Sequence, residues 1–217
     1  MAGGTGTYRV RSLSIWACLA LALCVPTALA GTSPLLAWRE PIYIAAGFAG
    51  IFAMSLLLVQ PLLAGGNLPG LTAKRGRLIH RAIGGLLVFG VVAHVVGLWI
   101  TSPPDVVDAL LFRSPTPFSA WGVVAMWAVF ASACLAMLRR RLHLRPRVWR
   151  LAHTVMASVI VTGTIIHALL IEGTMETVSK AVLCALVVAA TVAVVINRNR
   201  WTPRMGTLRN ANVDDAR

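Results

Sequence analysis

Four histidines lie inside apolar stretches of this chain, in two pairs with the same internal spacing. His80 precedes His94 by fourteen residues, and His153 precedes His167 by fourteen. On an α-helix, fourteen residues make almost four turns and rise about 21 Å, so both histidines of each pair face one side of their helix at opposite ends. Two such helices, side by side and parallel, would place His80 level with His153 and His94 level with His167.

This spacing suits the binding of haem. A small residue lies four positions inward from each histidine and leaves room for a flat macrocycle: Gly84, Gly90, Ala157 and Gly163. Neutral imidazole is a common axial ligand of haem iron, and ionisable residues inside membrane segments are functional by default. Because the chain has no Cys-x-x-Cys-His motif for covalent attachment, we predict two haem b groups, each held non-covalently between two histidines. The alternative for the small residues is simple packing between helices.

Composition places these helices in a membrane. Of 217 residues, 58% are hydrophobic and 12% charged, and the mean hydropathy is +0.78, which is typical of a polytopic protein in a lipid bilayer. The net charge of +13 comes from basic loops between apolar runs, so nucleic-acid binding is excluded. We predict an all-α bundle of six transmembrane helices, with spans at about residues 13–30, 41–64, 78–101, 118–138, 148–171 and 177–196.

The six spans form one domain between two polar ends. Residues 1–12 are predicted to be a cytoplasmic N-terminal lead, residues 13–196 the transmembrane domain, and residues 197–217 a cytoplasmic polar tail. The first apolar run ends in small residues, Ala28-Leu-Ala30 before Gly31, as a secretory signal peptide does. Because the chain continues directly into further spans, we favour a retained first span over cleavage.

Basic residues are divided unevenly between the two sides. If the spans alternate in direction, 17 of the 20 Lys and Arg fall on the side of both termini, and the positive-inside rule makes that side cytoplasmic. The other side holds Arg39, Arg113 and Lys180. We therefore predict a multi-pass protein of the cell (inner) membrane with both termini in the cytoplasm. The third and fifth spans then run parallel, so His80/His153 is an inner site and His94/His167 an outer site, about 20 Å apart.

Arginines flank the predicted inner site. Four of them could pair with haem propionates: Arg77, Arg81, Arg147 and Arg150. The alternative is that they only anchor the helices at the cytoplasmic surface. On the outer side, the corresponding candidates are Arg113, Trp99 and Ser102.

These residues resemble a known membrane domain. The matching residues are His80 with Arg81 and Gly84, His94, the run Trp149-Arg150-Leu-Ala-His153, and His167. The pattern is similar to the ferric-reductase-like transmembrane domain of ferric reductases, NADPH oxidases and the haem-binding membrane subunit of the bacterial methionine-sulfoxide reductase system. The resemblance covers about residues 12–196 and implies a six-helix bundle with two stacked b haems.

The resemblance also bears on the electron donor. Larger members of that family append cytoplasmic flavin- and nicotinamide-binding domains, whereas residues 197–217 contain no glycine-rich dinucleotide motif. The chain resembles the stand-alone haem subunits, so we expect an electron-transfer subunit of an oxidoreductase rather than a complete enzyme, with no catalytic residue. Its expected donor is a separate cytoplasmic flavoprotein or membrane quinol, and its acceptor is an extracytoplasmic redox partner.

A membrane permease is the alternative, with histidines that bind a metal or relay protons. Transport sites gather their ligands near the bilayer midplane, at broken helices. These histidines divide instead into two levels. The spacing therefore favours an electron conduit.

Overall fold

Seven α-helices make up the part of the chain that the structure, a computed structural model, describes: residues 3–200, with side chains described within residues 6–197. A 3₁₀ turn, Pro34–Leu36, follows the first helix, and these residues form no strand. The helices are α1 Gly3–Gly31, α2 Pro41–Ala64, α3 Ala73–Thr101, α4 Pro103–Leu110, α5 Pro117–Leu138, α6 Pro146–Leu170 and α7 Thr177–Arg200.

Six of these helices, all except α4, are long and apolar enough to cross a bilayer. The 24 residues of α2 rise about 36 Å, which exceeds the roughly 30 Å hydrocarbon core of a bilayer. Hydrogen bonds within each helix satisfy the backbone where no water is present. The protein is therefore an all-α, multi-pass membrane protein, and the prediction of six spanning helices is confirmed.

Local sequence explains where the helices begin. Proline occupies a first-turn position, where no helical hydrogen bond is lost, in α2, α4, α5 and α6. Thr72 caps α3 by accepting a hydrogen bond from the backbone N–H of Arg75 at 3.3 Å. Gly66 and Gly70, with φ of +66° and +78°, allow the chain to reverse direction between α2 and α3.

Three helices extend beyond the predicted spans. α1 begins at Gly3 rather than near residue 13, α3 begins at Ala73 rather than near residue 78, and α7 reaches Arg200 rather than ending near residue 196. In α3 the extension contains Lys74, Arg75 and Arg77, which have high helix propensity, so this helix continues beyond its apolar run. Residues 201–217 of the predicted tail lie outside the described residues.

The spanning helices pack as two antiparallel hairpins. α2 packs closely against α3, and α5 packs closely against α6. α7 contacts both hairpins through α2 and α6, and α1 lies against α7 and α2. α3 and α6, which carry the four histidines, are not among the closely packed helix pairs. The two hairpins therefore leave a gap between α3 and α6.

Glycines bring the helices of each hairpin together. A Cβ atom at Gly90 would lie 3.3 Å from the Cβ atom of Ala53, and one at Gly163 would lie 3.0 Å from the carbonyl oxygen of Trp121. Both glycines thus face the neighbouring helix of their own hairpin, where small residues permit close contact. For Gly90 and Gly163 the structure supports the packing alternative, not a clearance beside the imidazoles.

The two ends of the bundle differ in charge. We call the end with the α2–α3 and α5–α6 connections the basic end, because it holds Lys74, Arg75 and the three arginines at 139–141. We call the opposite end the acidic end. Its carboxylates are Glu40, Asp105, Asp108, Glu172 and Glu176.

Candidate functional site

The four membrane histidines lie in two close pairs across the gap between α3 and α6. The ring centroids of His80 and His153 are 6.2 Å apart, toward the basic end, and those of His94 and His167 are 6.5 Å apart, toward the acidic end. The ring planes of the two pairs are inclined by 71° and 82°. An imidazole nitrogen binds a transition metal at about 2.0–2.1 Å, so a metal between two imidazoles places their centres roughly 6 Å apart. Each pair has the spacing that one metal ion requires.

Two ligands alone do not complete an ordinary protein metal site. Within the described residues, no group of three or more His, Cys, Asp or Glu side chains could hold a metal ion. A structural zinc site uses four protein ligands, whereas haem supplies four equatorial nitrogens and needs axial ligands only. The paired histidines therefore fit haem better than a free metal ion.

Backbone carbonyls orient three of the four histidines. The bonds join Nδ1 of His80 to the oxygen of Gln60 at 3.3 Å, Nδ1 of His94 to that of Ala46 at 2.7 Å, and Nδ1 of His167 to that of Phe118 at 2.9 Å. A carbonyl oxygen only accepts, so Nδ1 must carry the hydrogen and Nε2 keeps the lone pair of the neutral ring. Metal-binding histidines are commonly held in this way.

His153 has a different environment from the other three. Its Nδ1 pairs with the hydroxyl of Ser132 in α5 at 3.1 Å, and a hydroxyl can either donate or accept. The indole of Trp149, one turn earlier on α6, stacks on the His153 ring with centroids 5.4 Å apart and planes 7° apart. The guanidinium of Arg139 lies 4.2 Å from the centre of the Trp149 ring on α6. Two side chains, Ser132 and Trp149, therefore contact the His153 ring.

Two glycines make room for the acidic-end pair. A Cβ atom at Gly122 of α5 would lie 2.6 Å from Nδ1 of His167, and one at Gly50 of α2 would lie 3.0 Å from Nδ1 of His94. Real side chains do not approach so closely, so each imidazole occupies space that only glycine leaves open. Sequence analysis missed both positions, because Gly50 and Gly122 lie more than forty residues from their histidines.

An apolar layer separates the two histidine pairs. Leu87 and Ile160 lie seven residues from each histidine of their own helix, hence on the same helix face at mid-depth. Both are buried, with 7% and 8% of their surface exposed, and both belong to one apolar cluster shared with α2, α5 and α7. Buried apolar side chains, rather than polar ones, therefore lie between the two histidine pairs.

Two buried polar atoms beside the basic-end pair have no hydrogen-bond partner in the described part of the chain. They are Oε1 of Gln60 and Nε1 of Trp149. Gln60 also donates through Nε2 to the carbonyl oxygen of His80 at 3.2 Å, and Trp149 stacks on His153. An unpaired buried polar atom costs about 1–3 kcal/mol. These two atoms suit a bound group that carries polar substituents, as haem does.

The four predicted arginines are exposed at the basic end: Arg77, Arg81, Arg147 and Arg150. Arg77 precedes His80 by three residues, and Arg150 precedes His153 by three. Residues three apart share a helix face, so these two arginines lie one turn beyond the imidazoles on equivalent faces of α3 and α6. At the acidic end, the hydroxyl of Ser102 donates to the carboxylate of Asp105 at 2.6 Å instead of facing the site unpaired.

Comparison with known proteins gives one match. A family model described as ferric reductase like transmembrane component matches residues 46–164, which is more than half of the chain. The matched segment includes His80, His94 and His153 and ends three residues before His167. Searches of curated proteins and of solved structures gave no match.

Proposed function

This chain belongs to the ferric reductase like transmembrane component family, a family of membrane electron-transfer components, and we propose that it conducts electrons across the bilayer with two haem b groups. His80 and His153 hold the first haem, and His94 and His167 hold the second. The observation that carries this proposal is the spacing of the paired rings, 6.2 and 6.5 Å between centroids.

Haem supplies one-electron redox chemistry, and the protein sets where it is held and what surrounds it. The carbonyl oxygens of Gln60, Ala46 and Phe118 orient their histidines and raise the basicity of Nε2 as a ligand. Leu87 and Ile160 keep water out of the layer between the sites. The basic-end arginines Arg77, Arg81, Arg147 and Arg150 would bind the carboxylates of the haem held at this end.

Charge sets the direction of the proposed path. The basic end is cytoplasmic by the positive-inside rule. Both termini then lie on the cytoplasmic side of the cell (inner) membrane, and His80/His153 is the inner site. Electrons come from a separate cytoplasmic flavoprotein or from membrane quinol and leave to an extracytoplasmic redox partner. The arginines at 139–141 with Arg145 and Arg147 form an electropositive face on which an acidic flavoprotein can dock.

We favour electron conduction over the permease alternative because the two helices that carry the histidines are unbroken. Transporters bind their cargo at broken helices near the midplane. Here α3 and α6 run without interruption from Ala73 to Thr101 and from Pro146 to Leu170, and apolar Leu87 and Ile160 fill the mid-depth position on the histidine faces. We propose a role similar to that of the stand-alone haem subunit of the methionine-sulfoxide reductase system.

A haem-to-protein ratio tests the proposal. We expect purified, haem-replete protein to give about two non-covalent haems per chain in a pyridine haemochrome assay, and the native protein to have the optical spectrum of low-spin, bis-histidine haem. His94→Ala or His80→Ala should each remove one haem. His143→Ala is the matched control, because His143 lies exposed in the α5–α6 connection and should leave the ratio unchanged. Haem-free wild-type protein would overturn the proposal.

A further inference from the structure

Arg139, Trp149 and His153 form a continuous stack from the basic surface to the inner histidine pair. The guanidinium of Arg139, at the end of α5, lies 4.2 Å from the Trp149 ring centre. The Trp149 ring lies parallel to the His153 ring, with 5.4 Å between centroids. Arg139 is exposed, whereas Trp149 and His153 are half-buried. The stack therefore connects the exposed guanidinium of Arg139 to the imidazole of His153 at the inner site.

His153 is the histidine most able to respond to this link. Its three counterparts bond through Nδ1 to main-chain carbonyls, which move only if a helix moves. Nδ1 of His153 pairs with the Ser132 hydroxyl, which can accept or donate. The His153 ring thus contacts two side chains that can change conformation without movement of a helix, Ser132 and Trp149.

The contact between Arg139 and Trp149 is weak enough to be exchanged. A cation over an aromatic ring at an exposed site is a weak contact. Carboxylates of an acidic surface can bind the same guanidinium through charge-assisted hydrogen bonds, which are stronger than neutral ones. An acidic protein surface at the basic end can therefore draw Arg139 away from the indole.

We propose that Trp149 is a positioning residue for His153, and that an acidic partner which binds Arg139 changes the packing of Trp149 and thereby the inner haem site. The inference rests on the proposed function, since it assumes haem between His80 and His153. It goes beyond docking alone, because binding of the partner changes the packing around His153, the proposed haem ligand. Arg140 is adjacent in sequence, exposed and equally charged, but the contact with the Trp149 ring is made by Arg139.

The first test is the electron paramagnetic resonance signal of the ferric inner haem, which depends on the orientation of the two axial imidazoles. Trp149→Phe keeps an aromatic ring and should retain the wild-type g values. Trp149→Leu removes the stack and should shift the g values of the inner haem alone. An unchanged inner signal in Trp149→Leu would overturn the positioning role, as would equal shifts of both haem signals.

The second test adds poly-L-glutamate as an acidic probe to purified protein in detergent. The probe should shift the inner-haem signal of the wild type and of Arg140→Ala, and leave that of Arg139→Ala unmoved. The same shift in Arg139→Ala would overturn the coupling. Haem content of the wild type is measured first: two haems with no response refute this inference alone, whereas absence of haem refutes the proposed function.

Discussion

At the scale of single residues, the four histidines differ in the partner of Nδ1: a main-chain carbonyl for three of them and a side-chain hydroxyl for His153. Main-chain carbonyls fix the tautomer of His80, His94 and His167, so that Nε2 is the free ligand atom of the neutral ring. The Ser132 hydroxyl pairs with Nδ1 of His153 but can donate or accept, so it does not fix the tautomer. A side-chain substitution can therefore remove the Nδ1 partner of His153, whereas the Nδ1 partners of the other three histidines belong to the main chain.

Ser132→Ala should weaken the inner site selectively. Ser132 is buried, with 8% of its surface exposed, and its loss leaves Nδ1 of His153 without this hydroxyl. Removal of such a supporting group typically lowers affinity about 10–100-fold, so we expect faster haem loss from the inner site, measured by transfer to apomyoglobin. Ser132→Thr retains the hydroxyl and serves as the control. Equal haem loss from both sites would contradict the prediction.

Gly122→Ala should disrupt the outer site. The added methyl would lie 2.6 Å from Nδ1 and 2.9 Å from Cε1 of His167, so the imidazole must leave its position beside Phe118. We expect the haem-to-protein ratio to fall from about two to about one. Gly85→Ala is the control, because a Cβ atom there meets nothing within 4 Å. Retention of both haems in Gly122→Ala would show that His167 is not an outer ligand.

At the scale of helices, α3 and α6 set the distance between the two histidine pairs, and the other helices position α3 and α6. Each places two histidines four turns apart with one apolar residue, Leu87 or Ile160, midway. α2 and α5 provide the glycines and carbonyls that hold the rings. α7 closes the bundle, and Leu183 and Val187 on it are fully buried. A change at the start of α7 should therefore affect the stability of the whole bundle.

Glu176 caps α7 and makes the stability of this helix dependent on pH. The backbone N–H groups of Ser179 and Val178 each donate to its carboxylate at 3.0 Å and lower the pKa of Glu176. A lowered pKa contributes stability above the ordinary value of about 4.3, and this contribution is lost as the pH falls through the lowered value. Glu176→Ala should therefore reduce Tm at neutral pH.

The size of that reduction should shrink in acid. At about pH 3, below the ordinary glutamate pKa, the wild type and Glu176→Ala should approach one another in Tm, measured by thermal unfolding in detergent. Glu172→Ala, in the same acidic turn, removes an equal charge without removing the cap. A Tm difference for Glu176→Ala that is independent of pH would contradict the capping role.

At the scale of the whole molecule, the arrangement of two sites at opposite ends makes the order of reduction testable. With a cytoplasmic flavoprotein as donor, His94→Ala or His167→Ala should leave the inner haem reducible. His80→Ala or His153→Ala should remove the inner haem and slow reduction of the outer haem, since the path begins at that pair. Rapid-mixing spectroscopy distinguishes the cases. Fast reduction of the outer haem in the inner-pair variants would instead favour quinol at the outer face.

The sequence by itself determined the helical architecture, the six spans and the depth of each histidine. These follow from short-range physics: a run of about twenty apolar residues must form a helix in lipid, and a spacing of fourteen residues keeps two side chains on one helix face. The roles of the histidines as haem ligands, and of the four arginines as propionate partners, stay predictions from that spacing and from the family resemblance.

Only the tertiary structure decided what surrounds each ring. Gly122 and Phe118 on α5 meet His167 on α6, and Ser132 on α5 meets His153, because the two helices of that hairpin pack closely. Such contacts join residues twenty to fifty positions apart, and no local periodicity encodes them. The same packing turned Gly90 and Gly163 toward their hairpin partners, because the direction of a small residue depends on which neighbouring helix approaches it.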